Sequence, residues 1–231
     1  MQLLAFDTAT PATTVALALA DEKLLTRRHE PAPGERPGHV SELLPLALAL
    51  LAEAGIDVAQ LDRIAVGVGP GTFTGLRIGV ATARALAHAH ELPLVGISTL
   101  RSLAAGAAVE ASALLAVLDA RRGEAFAAAW AGERALLEPA AFTPDALVQA
   151  AAALPAGTVA VGDGAVRFRT VLEAAGIVVP ADDSAAHRVE AAVHARLAAG
   201  MEPTAPDAVL PAYLRLPDAE LALRRRRADE P

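Results

Sequence analysis

The sequence has 231 residues, a formal net charge of −7 and no cysteine. These figures exclude disulfide frameworks, thiolate metal sites and cysteine nucleophiles, and an acidic surface is a poor match for direct nucleic-acid binding. With 54% hydrophobic and 20% charged residues, the chain is a globular protein of one or two domains.

The chain opens on Met1-Gln2-Leu3-Leu4 with no basic leader and reaches an acid at Asp7, which is not the pattern of a signal peptide. Strands are predicted at 2–7, 13–20 and 24–29, joined by short turns into a meander. A proline-rich loop covers 31–37, and helical periodicity runs over 39–54 until Gly55. The apolar run 43–52 inside that helix contains Pro45 and is shorter than the roughly 18 residues a membrane span requires. A cytoplasmic protein without membrane association is expected. A strand at 61–67 leads into the glycine loop 67–75, then a helix to about 90, a strand at 94–97, and a helix capped by Ser98.

A new apolar strand at 112–118 ends in Asp119-Ala120, turns through 121–123 and returns over 124–130. The motif of apolar strand, aspartate, small residue, turn and strand therefore occurs twice, at Asp7 and Asp119, and points to an internal duplication. Beyond it come a helix at 144–153, a strand at 158–162, Gly162-Asp163-Gly164, a helix at 165–175, a short strand at 177–179 and a helix at 184–199. Residues 203–217 contain four prolines and read as extended. The expected fold is α/β, with mixed sheets covered by helices. The division places one half at 1–103, a second at 104–205 and an extended segment with an arginine-rich tail at 206–231. The run Arg224 to Arg227 reads as a solvated tail.

The glycine loop fails two nucleotide motifs. A phosphate-binding loop needs a lysine, and the only lysine is Lys23; the dinucleotide fingerprint needs a third glycine where Thr72 stands. What remains is a helix N-terminus able to hold an anion, or a tight turn before a closely packed helix; the turn is the commoner use. Helix 39–54 is apolar on two sides: Val40, Leu43, Leu44, Ala47, Leu51 and Ala54 are assigned to one face, and Leu46, Leu48 and Leu50 to the other. The second face, with Leu46 and Leu50 as its outward residues, is expected to meet a partner chain. Helix 74–90 is rich in glycine and alanine, which lets another helix approach, and sets Arg77, Arg84 and His88 on one stripe. No metal site is expected: Leu43 follows His39 at i+4, where a second histidine ligand would be needed, and neither His187 nor His194 has a carboxylate pair nearby with a clear purpose. Asp7 and Asp119 either face each other across a cleft, as in a kinase, or cap their own turns.

Phe6-Asp7-Thr8-Ala9-Thr10, Gly69-Pro70-Gly71-Thr72-Phe73-Thr74-Gly75-Leu76-Arg77-Ile78-Gly79, Leu118-Asp119-Ala120-Arg121-Arg122-Gly123-Glu124 and Pro211-Ala212-Tyr213-Leu214-Arg215 together resemble the TsaB family, also called YeaZ. The resemblance covers essentially the whole chain and implies duplicated ribonuclease-H-like halves of the actin, sugar-kinase and heat-shock ATPase superfamily. It implies a non-catalytic dimerisation and scaffold subunit with no catalytic residue of its own. Such a subunit works with a TsaD-type catalytic subunit and a TsaE-type ATPase to place threonylcarbamoyl on the adenosine beside the tRNA anticodon. On this reading tRNA is met only through the complex, and the isolated chain forms a homodimer. No cofactor is expected to bind firmly, and ATP or ADP is placed at the partner interface. The interface is expected at Leu43, Leu46, Leu50, Thr72, Phe73, Arg77, Val80 and Arg84, and a vestigial nucleotide cleft at Asp7, Asp119, Gly162 and Gly164. The competing expectation is an active phosphotransferase or ATPase of the same superfamily.

Overall fold

The computed structural model describes residues 1–32 and 34–215; the arginine run 224–227 lies outside them. Strands β1 (Leu3–Asp7), β2 (Thr13–Ala18) and β3 (Leu24–His29) form the predicted meander. Helix α1 (His39–Ala54) ends where Gly55 takes up a left-handed conformation, φ 68°, that a side chain would strain. Strand β4 (Arg63–Gly69) pairs parallel to β1, and β5 (Leu94–Ser98) pairs parallel to β4. Helix α2 (Phe73–Ala89) is the crossover between them, and α3 (Thr99–Gly106) starts with the Ser98 hydroxyl accepting from the Arg101 amide.

The second half repeats this plan. Strands β6 (Ala113–Asp119), β7 (Ala125–Ala131), β8 (Arg134–Phe142) and β9 (Thr158–Val161) assemble in the order β8-β7-β6-β9, against β3-β2-β1-β4-β5 in the first sheet. In both, an antiparallel meander carries a parallel fourth strand beside its first. The duplicated α/β architecture expected from Asp7 and Asp119 is the one observed. Helices α4 (Pro144–Ala152), α5 (Asp163–Arg167), α6 (Arg169–Ala174) and α7 (Ala191–Ala199) complete the chain.

Three expectations change. The residue pattern does not announce strand β8, because Pro139 interrupts it and the ladder to β7 shifts register twice, which blurs the period of two. The helix expected at 165–175 breaks at Phe168 into α5 and α6. The helix expected at 184–199 is a single 3-10 turn, Ala185–His187, then three non-helical residues, then α7. There the Thr14 hydroxyl accepts from the Ala191 amide at 3.1 Å and starts the helix late.

The halves also exchange covering helices. Leu100, Leu103 and Ala104 of α3 pack with Ala116, Leu118 and Phe126 of the second sheet. Ala191, Ala195 and Ala198 of α7 pack with Leu3, Ala5, Ala16 and Val95 of the first. The division drawn at 103/104 therefore falls inside α3, and α7, assigned to the second half by position, covers the first sheet. On the opposite face of that sheet, α1 and α2 bury Leu43, Leu50, Leu51 and Val80 against Leu4, Phe6 and Val66.

Candidate functional site

Helix α1 turns a purely apolar stripe to solvent. Val40, Leu44 and Leu48, four residues apart, are 80%, 43% and 57% exposed, and Ala52 continues the line. This corrects the sequence-based faces. Leu50 is fully buried and Leu43 nearly so, while Leu46 packs partly against the same core. The reason is angular: at about 100° per residue, Leu43 and Leu50 lie within roughly 20° of each other, so they cannot belong to opposite faces. Val80 of the expected interface is likewise core.

On α2 the small residues divide. Gly79, Ala83 and Ala87 face the chain's own core, and Ala81 and Ala85 face outward beside exposed Arg77 and half-buried Arg84. A groove of about 490 Å³ runs between Arg77, Val80, Ala81 and Arg84 on one side and Pro211 and Tyr213 on the other. The second wall is the C-terminal segment, which lies along α2. The Asp207 carboxylate accepts from Arg84 and sits 3.1 Å from His88 Nε2, and the Arg84 guanidinium, then His88, hold it below the usual carboxylate range. Arg77 donates from Nε to the Tyr213 hydroxyl at 3.2 Å, with its guanidinium 3.9 Å from the centre of the Phe73 ring. Phe73 and Tyr213 stack at 5.1 Å between centroids. Phe73, Arg77 and Arg84 thus hold this segment on the outer face of α2, and Thr72 is the N-cap residue of α2.

The glycine loop is explained by packing. The Thr72 amide donates to the Ala9 carbonyl at 2.8 Å, and the Thr8 hydroxyl donates to the Gly75 carbonyl at 2.7 Å. A Cβ on Gly75 would stand 2.0 Å from the Thr8 carbonyl oxygen, so only glycine lets α2 rest on the turn after β1. The turn reading of the loop accounts for its sequence.

Asp7 caps that turn: its Oδ1 accepts from the Ala9 amide at 2.7 Å. Its Oδ2 accepts from the Thr99 hydroxyl at 2.9 Å and sits 3.0 Å from His194 Nε2, while His194 Nδ1 is 2.8 Å from the Ser102 hydroxyl. All four side chains are buried. Burial alone would raise the Asp7 carboxyl, but His194, the Ala9 amide and Thr99 outweigh it and hold it below its ordinary value. A Cβ on Gly67 would lie 1.8 Å from Asp7 Oδ2, so the strand alongside must carry glycine there. The cluster clamps β1, α3 and α7 together. His194 has the carboxylate partner that sequence spacing did not offer it.

Asp119 repeats the cap in the second half, accepting from the Arg121 amide at 2.9 Å, and its carboxylate pairs with Arg121 and Arg167 at 3.5 and 3.0 Å. Each aspartate caps its own turn, and the Asp7 carboxylate is enclosed by the His194 cluster. A cleft of about 390 Å³ does lie between the halves, lined by Thr10, Ala12, Leu118, Asp163, Val166 and His187 among others. Gly162 and Gly164 pack directly on the neighbouring strand: a Cβ on Gly162 would lie 2.1 Å from the Val117 carbonyl oxygen, and one on Gly164 2.6 Å from the Leu118 carbonyl carbon. The turn between β6 and β7 holds Arg121 and Arg122 at φ 64° and 54°, followed by Gly123 at 79°. Two consecutive arginines in the left-handed region store backbone strain. Glu124, the next residue, pairs with Arg215 at 2.7 Å.

Sequence reasoning misses His194, Ser102, Thr99 and Asp207 as partners because each contact joins residues 90 or more positions apart. The single available signal is composition: a histidine inside the alanine-rich helix α7 has few reasons to be there other than a buried partner. Among the described residues, no group of three histidine, aspartate or glutamate side chains is placed to hold a metal ion, and no helix is long and apolar enough to cross a membrane.

Known proteins fit this picture. The family model for TsaD, the tRNA N6-adenosine threonylcarbamoyltransferase, matches residues 35–158. The tRNA threonylcarbamoyladenosine biosynthesis protein TsaB of Escherichia coli is 40% identical over 128 residues, which is 54% of this chain and 53% of that protein, so the match spans about half of either. An uncharacterised Mycobacterium tuberculosis protein is 35% identical over 94% of this chain and 93% of its own length. A crystal structure from Pseudomonas aeruginosa described as similar to peptidase YeaZ superposes with a TM-score of 0.78 at 31% identity, covering 93% of this chain and 99% of that one. The structure of YeaZ from the same organism gives 0.76 at 29% identity, covering 92% and 100%. With these likenesses running through both sheets, the chain belongs to the TsaB (YeaZ) family.

Proposed function

We propose that the chain is the non-catalytic scaffold subunit of a tRNA threonylcarbamoyladenosine-forming complex. It docks a TsaD-type catalytic subunit through the outer faces of α1 and α2, and a TsaE-type ATPase completes the assembly. The observation that carries this reading is the stripe Val40, Leu44 and Leu48, exposed on a helix whose other side is already core. Apolar rows of this kind are interaction surfaces. The first turn of α1 offers Glu42 and the outer face of α2 offers exposed Arg77, while Arg84 and His88 are already paired with Asp207. A helix pair with both signs also suits self-association, so the isolated chain forms a homodimer through the same face. The phosphotransferase reading has less support, since both oxygens of Asp7 are engaged inside the protein and the Asp119 carboxylate is tied to two arginines.

The test is a pull-down of the co-expressed TsaD-type subunit by Leu44→Arg/Leu48→Arg, two surface changes that leave the core intact. Burying two unpaired guanidiniums in an interface costs several kcal/mol, so capture is expected to fall at least about a hundredfold while the circular dichroism spectrum stays that of the folded wild type. A folded double variant that captures its partner at wild-type affinity overturns the docking face.

A further inference from the structure

The C-terminal segment touches two separate places, one on each half. It is anchored along its whole length: Thr204 exchanges backbone hydrogen bonds with Leu94 at 2.8 and 3.2 Å, Val209 is buried in the first core, and the Ala212 amide donates to the Val68 carbonyl at 2.7 Å. At Tyr213 it stacks on Phe73 and accepts from Arg77, on the outer face of α2. Leu214 packs on the second core, and Arg215 pairs with Glu124 in the strained turn of the other half. Only one residue separates the Tyr213 contact from the Arg215 contact. The Cα atoms of Tyr213 and Arg215 therefore lie at most roughly 7 Å apart.

We propose that residues 204–215 act as a tie between the docking face and the arginine turn at 121–123, so that the Phe73–Tyr213–Arg77 stack and the Glu124–Arg215 pair order each other. The warrant is mechanical. The turn holds Arg121 and Arg122 in a conformation they resist, and such a conformation persists only where surrounding contacts fix it. Glu124 supplies two of those contacts, its backbone bonds to Ala120 and Arg121, and the Arg215 pair positions Glu124 itself. Loosening Tyr213 lets Arg215 move, and with it a restraint applied from outside the turn. Thermodynamic linkage makes the effect reciprocal, so releasing Glu124 loosens the stack on α2. A partner seated on α2 then stiffens a turn in the opposite half that it need not contact. The last step rests on the proposed docking face; the tie itself does not.

The experiment uses the full chain without a partner. Native trypsin cleaves after Arg121 or Arg122 only when the turn opens, and mass spectrometry identifies those cuts among all others. Tyr213→Ala is expected to raise the cutting rate there about tenfold, within the range usual for coupled sites. Glu124→Gln is expected to raise deuterium uptake over 209–213, with uptake in β9 unchanged in both variants as the control against global loosening. Should Tyr213→Ala not fold, Tyr213→Phe, which deletes only the hydroxyl, is expected to give a smaller rise in the same cuts. A folded Tyr213 variant whose uptake over 209–213 increases while cutting at the turn stays within about twofold of wild type overturns the tie. Because no partner is present, loss of the docking reading in the pull-down and loss of the tie here are separate results.

Discussion

Replacing His194 by alanine tests whether the Asp7 cluster is the clamp of the first half. In the wild type, the carboxylate is buried with His194 3.0 Å away, and the Thr99 hydroxyl and the Ala9 amide also donate to it. Deleting one partner of a buried pair leaves an uncompensated charge, which costs about 3–5 kcal/mol. For a chain of this size each kcal/mol moves the melting temperature by about 2–4 °C, so the variant is expected to melt roughly 6–20 °C lower. The pH dependence separates this from simple loss of packing. In the wild type Asp7 is held below its ordinary value, so its contribution is present above that value and lost as pH falls through the folded one. In His194→Ala, burial stays while the largest lowering partner is gone, so the folded carboxyl is expected to shift upward. The penalty is then largest at neutral pH and shrinks as acid protonates Asp7 in the folded state. Urea titrations at neutral pH and at a pH just above the ordinary carboxylate value report the difference. A penalty below about 1 kcal/mol, or one that is the same at both pH values, refutes the clamp, since a lost hydrogen bond alone is worth that much.

Leu50→Ala is expected to cost about 2–5 kcal/mol in urea unfolding, whereas Leu48→Ala, two residues earlier, changes stability by less than about 0.5 kcal/mol. Equal losses at both positions would mean that the inward and outward faces of α1 are assigned wrongly. Asp119→Asn keeps an oxygen for the Arg121 amide and gives up ion pairs to two largely exposed arginines, so stability is expected to change by no more than about 1 kcal/mol. A cost matching that of the His194 change would give Asp119 the same clamping role as Asp7.

Much of this architecture is written locally. The meander, the Gly55 stop, the Ser98 cap and the repeated aspartate turn all depend on neighbours in sequence, and each appears where the residue pattern places it. Element ends and faces are harder. Helix α1 is so uniformly leucine and alanine that apolarity cannot say which side is core; the burial of Leu43 and Leu50 is decided by the sheet beneath. The exchange of α3 and α7 between halves is invisible to any window of sequence, because Leu100 and Ala195 look alike until the sheets they cover exist. The same holds for the surface. Arg77 and Arg84 stand out as a stripe, but their partners Tyr213 and Asp207 come from a proline-rich segment with no periodicity to read.

The placement of α7 and the segment after it has a consequence for biosynthesis. The ribosome makes the five strands of the first sheet within the first hundred residues, yet α7, which covers one face of that sheet, is encoded at 191–199. Until then Leu3, Ala5, Ala16 and Val95 lack their cover, and α2 lacks Asp207 and Tyr213. The first half of the protein to be translated is therefore the last to close. A chain stopped early keeps an open apolar sheet, which marks it for chaperones and proteases.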